Sequence, residues 1–403
     1  MAFRFITLPL KKSMPPKENS NVDLKGIPSD VKKGIWAKRN FCTSQFESFY
    51  NAFEKGGKYM NSSWQTAEGR EKMMTNLVDA VNNYATEVAT ILYKFPVFAY
   101  GYYYSWSSSL GDKQYIAFDD FRYDLQCMFF NIAVVFMNIT EKLLCWDKTP
   151  GNASALEKEG YRYLLQAAGF FDLVKEMRED VKAYCVGITK LDPPEEVTTS
   201  FLEFCYFIVL AQAQEIGTTK AVENELNGGK ILVAKLSHQV LKLYEEAKNI
   251  ADSRITCNHE IYLKVLRLVQ VKIDVFRALT FSHAASSVFD SSPSEGMWFV
   301  SQLDKLIKIV NSHRDHSIIK RRKIPFRGDD LIQGCCTIVQ RNCERCTRIN
   351  SMVHRAKTAE GPLSLPPPMV LAQKKPIKLP VPFPHQVVGD TPKLASNEEK
   401  PGE

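Results

Sequence analysis

The sequence lacks most of the signatures that would announce its chemistry directly. No glycine-rich loop follows a strand, which excludes the usual cradle for nucleotide phosphates. No second Cys-x-x-Cys and no paired histidines accompany Cys343-x-x-Cys346. Two thiols three residues apart on a helix face one side, which fits ordinary packing better than zinc. The seven histidines fall in helical or basic stretches, without the elbow-like turn that presents a nucleophile to its base. Catalysis, a metal and a cofactor are therefore not expected. No apolar run is read as reaching the ~20 residues of a membrane span. The N-terminus shows no cleavage-site pattern, so the ten cysteines are expected as reduced thiols, mostly in the core of an intracellular protein. That setting devalues the glycosylation sequons at Asn61, Asn138 and Asn152. One-sided charge is missing too. Lys and Arg total 52 against 45 Asp and Glu, a net +7 that suits a soluble surface and excludes a dedicated nucleic-acid binder.

What the 403 residues do contain is helix. The opening MAFRFITLPLKK alternates like a β-strand and leads into a Pro- and Lys-rich loop, an arm over residues 1–30. A helical body spans 34–357. Phe46, Phe49, Tyr50 and Phe53 line one face of its first helix, and Thr66 caps the next, which ends at Phe95-Pro96. Residues 97–117 are aromatic and Ser-rich, an ordered loop or short strands. The helix over 118–146 is strongly apolar and must be central. Another follows from Ala155 to Val186.

Beyond Pro193-Pro194, Ser200 and Glu203 form an S-x-x-E capping box for a helix that is apolar all round from Phe201 to Ala213. Gly228-Gly229 stops it, and a second helix from Lys230 folds back. On that helix Leu232, Leu236, Gln239 and Leu243 form one stripe, while Val233, Val240, Tyr244 and Ala247 form its neighbour. One stripe suffices for docking; the other meets a further helix or stays open as a groove. Three more helices follow. The basic run Lys320–Lys323 reads as a solvated loop. Residues 361–385 are Pro-rich and extended, a strap lying on their own domain, and 386–403 are read as disordered. Successive helices joined by Gly/Pro breaks imply an α-solenoid of tetratricopeptide type, although no strict repeat signature is present.

Several runs resemble the Bro domain family of the ALIX, BROX and rhophilin type. They are FITLPLKKS at the start, Tyr104-Ser-Trp106, Tyr123-Asp-Leu-Gln-Cys-Met-Phe-Phe-Asn131, Gln166-Ala-Ala-Gly-Phe-Phe171, Leu210-Ala-Gln-Ala-Gln-Glu215 and Pro380-Val-Pro-Phe383. They occur in the family's order and cover residues 3 to about 385, one Bro-type domain over 1–385. The length is closest to a stand-alone, BROX-like member without the C-terminal prenylation box.

The resemblance implies a mainly α, curved helical solenoid with a small N-terminal β-sheet. It also implies a non-enzymatic adaptor that holds the amphipathic C-terminal helix of ESCRT-III subunits, the charged multivesicular body proteins, in an apolar groove. The adaptor would be cytoplasmic and peripheral to endosomal membranes, without nucleic-acid or small-molecule substrates. Carried over by position, Leu232 and Leu236 are the apolar contacts, and Lys158, Arg162, Lys220 and Lys235 surround them. Gly217 stands where ALIX-type members have a groove phenylalanine. The alternatives are a rhophilin-like scaffold for another peptide and a Cys-dependent hydrolase.

Overall fold

The computed structural model describes residues 5–20, 22–55, 62–110, 115–146, 153–182, 194–223, 229–315 and 329–380. The Lys320–Lys323 run, Asn61, Asn152 and the 386–403 tail lie outside them. Among the described residues the chain forms α1 (Ser29–Lys55), α2 (Ala67–Lys94), α3 (Phe121–Trp146), α4 (Ala153–Lys182) and α5 (Thr199–Glu223). It continues through α6 (Lys230–Arg254), α7 (Glu260–Val288), α8 (Pro293–Asp315) and α9 (Asp329–Ile349). From α3 to α8 each helix packs on the next in sequence, and α9 closes on α7 and α8, which is solenoid packing. A three-stranded antiparallel sheet of β1 (Lys17–Glu18), β2 (Tyr102–Ser107) and β3 (Tyr115–Phe118) sits at the N-terminal end in the order β1-β2-β3. Its register pairs Lys17 with Tyr103 and Trp106 with Ile116.

The Thr66 cap is present: its side chain accepts from the Gly69 amide, as the start of a helix requires. The cap of α5 differs from the expected box. Thr198, not Ser200, accepts the Phe201 amide at 3.2 Å, because the single turn at Glu195–Val197 delivers the chain two residues earlier. α3 corrects a second expectation. Its Phe121–Leu144 stretch is long and apolar enough to span a membrane, yet it is mostly buried. The consumer of that apolar surface is α4: Phe129 and Phe136 stack on Phe170 at 6.1 and 6.0 Å between ring centres.

The N-terminal arm is extended but not a strand. Phe5, Ile6, Leu8 and Leu10 are buried, and side chains take the place of a neighbouring strand in satisfying its backbone. Asn131 of α3 brackets Lys11, accepting its amide at 2.8 Å and donating to its carbonyl at 2.9 Å. Gln212 of α5 does the same for Ile6, and Asn138 donates to the Leu8 carbonyl at 3.0 Å. Strand pairing starts only where the arm reaches the sheet, with Ser13 opposite Trp106.

Candidate functional site

Residues 361–380 are extended and lie across the helices, a path that defines the site; residues 381–385 of the 361–385 strap lie outside the described residues. The strap crosses the helices in reverse order. Gly361 and Leu363 lie at Trp298 and Phe299 of α8, and the Pro366 carbonyl meets His238 Nδ1 of α6 at 2.6 Å. The Met369 amide donates to the Lys235 carbonyl at 3.1 Å, and Tyr161 Oη of α4 donates to the Leu371 carbonyl at 3.0 Å. The Lys375 amide donates to the Leu165 carbonyl at 3.0 Å, and Lys374 pairs with Asp172.

Gln214 is the central fastener. From α5 it donates to the Met369 carbonyl at 2.9 Å and accepts the Leu371 and Ala372 amides at 2.9 and 3.0 Å. This explains the polar residues of Leu210–Glu215. Gln212 holds the N-terminal arm and Gln214 the strap. Glu215, fully buried, pairs with Lys272 of α7 at 2.5 Å and accepts from Tyr244 of α6. Burial pushes the Glu215 carboxyl up, with Lys272 and Tyr244 opposing.

Glycine permits the close approach. A Cβ at Gly169 would run into the Lys375 carbonyl oxygen, and one at Gly217 would come within 2.8 Å of Leu371 Cδ1. The position expected to lack an aromatic anchor is thus the seat of a strap leucine.

The two apolar contacts separate. Leu232 is 39% exposed. Leu236 is only 2% exposed and is corrected from groove contact to packed interior. One turn of helix carries it round beside Val233 and Val240, which are fully buried, so its stripe is consumed by the protein itself. Exposed apolar surface beside Leu232 comes instead from Ile231 at 45%. The strap adds Met369, Val370 and Leu371 at 41, 50 and 39%, a contribution invisible to helical periodicity. A trough of about 470 Å³ lies between Ile231 and Lys235 of α6, Val288 of α7, Phe299 of α8 and the strap's Leu363–Pro367.

The basic residues divide as well. Lys235 lies at the trough. Lys158 is exposed one turn before Tyr161, on the side of α4 that meets the strap. Lys220 reaches α4, bonding Ser154 at 2.8 Å and facing Glu157 at 3.7 Å. Arg162 is turned toward α2, where it pairs with Glu71 at 3.1 Å, and the structure does not bring it to the strap.

Nothing in the described residues favours thiol chemistry. Cys42 and Cys127 are pushed up to about 12 and Cys343 to about 11, and Cys335 higher still, in each case chiefly by burial. No group of three or more His, Cys, Asp or Glu among the described residues could hold a metal ion.

Among solved structures, the "ALIX BRO1 CHMP4C complex" is similar with a TM-score of 0.62 and 18% identity, covering 94% of this chain and 96% of that one. ALIX in complex with the SIVmac239 PYKEVTEDL late domain matches with a TM-score of 0.62 and 16% identity, over 94% of this chain but 50% of the longer ALIX chain. The structure described as the basis for endosomal targeting by the Bro1 domain matches with a TM-score of 0.59 and 16% identity, over 93% and 94%. At these identities the likeness shows the fold. No curated protein sequence matches. The model of the BRO1-like domain matches residues 15–390, and by that match, over nearly its whole length, the chain belongs to the BRO1-like domain family.

Proposed function

We propose that this protein is a non-enzymatic adaptor that binds the amphipathic C-terminal helix of an ESCRT-III subunit across α6 and the strap, at the cytoplasmic face of endosomal membranes. Residues 1–385 act as one unit in this role. The observation that carries the proposal is the trough lined by Ile231, Lys235, Glu295, Phe299 and the strap's Leu363–Pro367, together with the exposed Leu232 of α6 and Met369–Leu371 of the strap. An amphipathic helix laying apolar side chains at i, i+3, i+4 and i+7 into such a surface is an established mode of recognition. The similar structure of ALIX with CHMP4C supports an ESCRT-III tail as the ligand. Lys158 and Lys235 suit acidic residues on the incoming helix. Arg162 joins them only by giving up Glu71, an exposed pair of small worth.

Two or three buried Leu or Ile contacts at ~2 kcal/mol each, less the cost of ordering the peptide, correspond to micromolar affinity, about −8 kcal/mol. Weak single contacts suit a reader of many copies arrayed on a polymer. The test is calorimetric titration of a panel of ESCRT-III C-terminal peptides against the wild type, Leu232→Asp and Leu371→Asp. Binding of at least one peptide, lost in both variants while the circular dichroism stays native, is the expected result. Undiminished binding by the folded variants rejects this surface. Failure of every ESCRT-III peptide leaves a scaffold for a different peptide.

A further inference from the structure

The last helix ends in a knob. After α9 the chain makes one π-helical turn, Asn350–His354, and residues 351–355 are all exposed. Met352 and Val353 stand there at 74 and 68% exposure, the highest of any large hydrophobic side chain among the described residues. Single exposed apolar side chains are ordinary; two neighbours standing this far out of a protein are not. Residues 345–357 also carry Arg345, Arg348, Arg355 and Lys357 and no Asp or Glu. Arg345 is engaged within the fold, by Ser286 at 3.1 Å and Asp290 at 3.3 Å. The side chains of Arg348, Arg355 and Lys357 are exposed and make no ion pair or hydrogen bond among the described residues.

The knob is held in one shape. Asn350 clamps it: its carbonyl accepts the Arg355 amide at 2.6 Å, and its side chain both accepts the Ala356 amide and donates to the Ala356 carbonyl at 3.0 Å. His354 lies edge-on to the buried Phe289 ring at 5.6 Å, and the Ala359 amide donates to the Ser294 carbonyl of α8 at 3.0 Å. Arg355 closes the turn at φ 50°, in the left-handed region where glycine is the usual residue at a helix end. A side chain kept there against its conformational preference points to a use for its charge. The acids packed nearby are engaged or set apart. Asp290 is shared by Lys230 and Arg345, Glu344 accepts from Gln340 at 2.8 Å two turns before Met352, and Glu360 lies beyond the Ala359 anchor.

We infer that this knob is a membrane contact: Met352 and Val353 enter the headgroup layer of an anionic bilayer while Arg348, Arg355 and Lys357 lie against its phosphates. The shape selects lipid over protein. A protein partner would have to supply a hollow for two protruding side chains, whereas a headgroup layer parts around them without a matching form. Apolar groups at the tip with cations beside them is the arrangement of interfacial anchors. The apolar face of α9 itself takes no part, since Leu331, Ile332, Cys335 and Val339 are buried where the helix packs on α7 and α8. Knob and trough share one corner of the molecule: Val288 and Glu295 line the trough, and Phe289 and Ser294 fasten the knob. Docking by the knob therefore holds the trough close to the bilayer. This gives the adaptor reading its lipid contact and stands without its peptide.

The test is flotation of the full chain, with no peptide present, on phosphatidylcholine vesicles with and without phosphatidylserine. Binding is expected to the anionic vesicles alone and to weaken as salt is raised. Each cation near such a surface contributes about fivefold, so Arg348→Gln, Arg355→Gly and Lys357→Gln together are expected to weaken binding about a hundredfold. Arg355→Gly alone is expected to weaken it about fivefold while the melting temperature holds or rises, because glycine suits the left-handed turn. Met352→Asp with Val353→Asp, both exposed changes, is expected to abolish binding while the circular dichroism stays native. Met352→Trp is expected to add a tryptophan emission that shifts to the blue with anionic vesicles. The inference is overturned if the chain binds neither vesicle or both equally, or if the aspartate or cation variants bind undiminished. An unshifted Met352→Trp emission removes the insertion step. Tighter binding of soluble polyglutamate than of vesicles, read by competition, assigns the knob to an acidic protein and also overturns it.

Discussion

Two glycines on neighbouring helices separate two kinds of tight contact. At Gly169 the obstacle is the strap's backbone, the Lys375 carbonyl, which cannot move without breaking the bond from the Lys375 amide to Leu165. At Gly217 it is the far end of a flexible leucine. Gly169→Ala is therefore expected to destabilise by about 1–3 kcal/mol, the usual cost of overpacking. Gly217→Ala is expected to fall within about 0.5 kcal/mol of wild type, because Leu371 turns aside and alanine favours the helix. Urea unfolding measures both, and equal costs would contradict the assigned strap contacts. The leucines of α6 give a second contrast. Leu236→Asp places a charge where the side chain is 2% exposed, and is expected to unfold the protein or cost more than about 3 kcal/mol. Leu232→Asp, at 39% exposure, is expected to leave the melting temperature nearly unchanged.

The N-terminal arm is an element held by side chains, and one of its fastenings is sensitive to pH. Burial raises the Glu196 carboxyl, but Lys11 at 2.6 Å and the Ser109 amide at 3.0 Å outweigh it and hold the group below its usual range. A carboxylate lowered in the folded state adds stability above its unfolded pKa of about 4.3 and loses it as pH falls through the lower folded value. Protection of the arm's amides, taken relative to the intrinsic exchange rate at each pH, should thus fall on acidification below about pH 4 in wild type. Glu196→Gln should show lower protection already at neutral pH and little further acid dependence of it; a protection profile matching wild type would refute this role.

The arm also shows where sequence patterns mislead. Its alternation is real, since Phe5, Ile6, Leu8 and Leu10 are all buried, but alternation reports burial and says nothing of what pairs the backbone. Helices α1 to α9 were legible because their apolar periods and caps are local. Leu236 and the strap's Met369–Leu371 were not: one stripe of α6 looks like another until its neighbours are in place, and an extended Pro-rich segment has no period to read. Gln212 and Gln214 stood out as a motif, though their division between the two ends of the chain depends on contacts 206 and about 155–158 residues apart.

A solenoid whose helices touch only their sequence neighbours gains stability repeat by repeat and can fray from either end. The strap changes that. It runs from α8 back to α4, contacting Phe299, His238, Lys235, Gln214, Tyr161 and Leu165 in turn, and so ties together helices that are distant along the stack. Loss of a tie of this kind should cost cooperativity as well as stability. A chain ending at Glu360 is expected to melt several degrees below one ending at Pro380, with a broader transition and faster amide exchange in α4, α5 and α6 than in α1 and α2. It should also lose binding of the ESCRT-III helix while remaining helical, because Leu363–Pro367 form one wall of the trough. Matching melts and exchange rates for the two chains would reduce the strap to a passive covering. Retained ESCRT-III binding by the shorter chain would instead remove the strap from the docking surface and leave α6 to carry it alone.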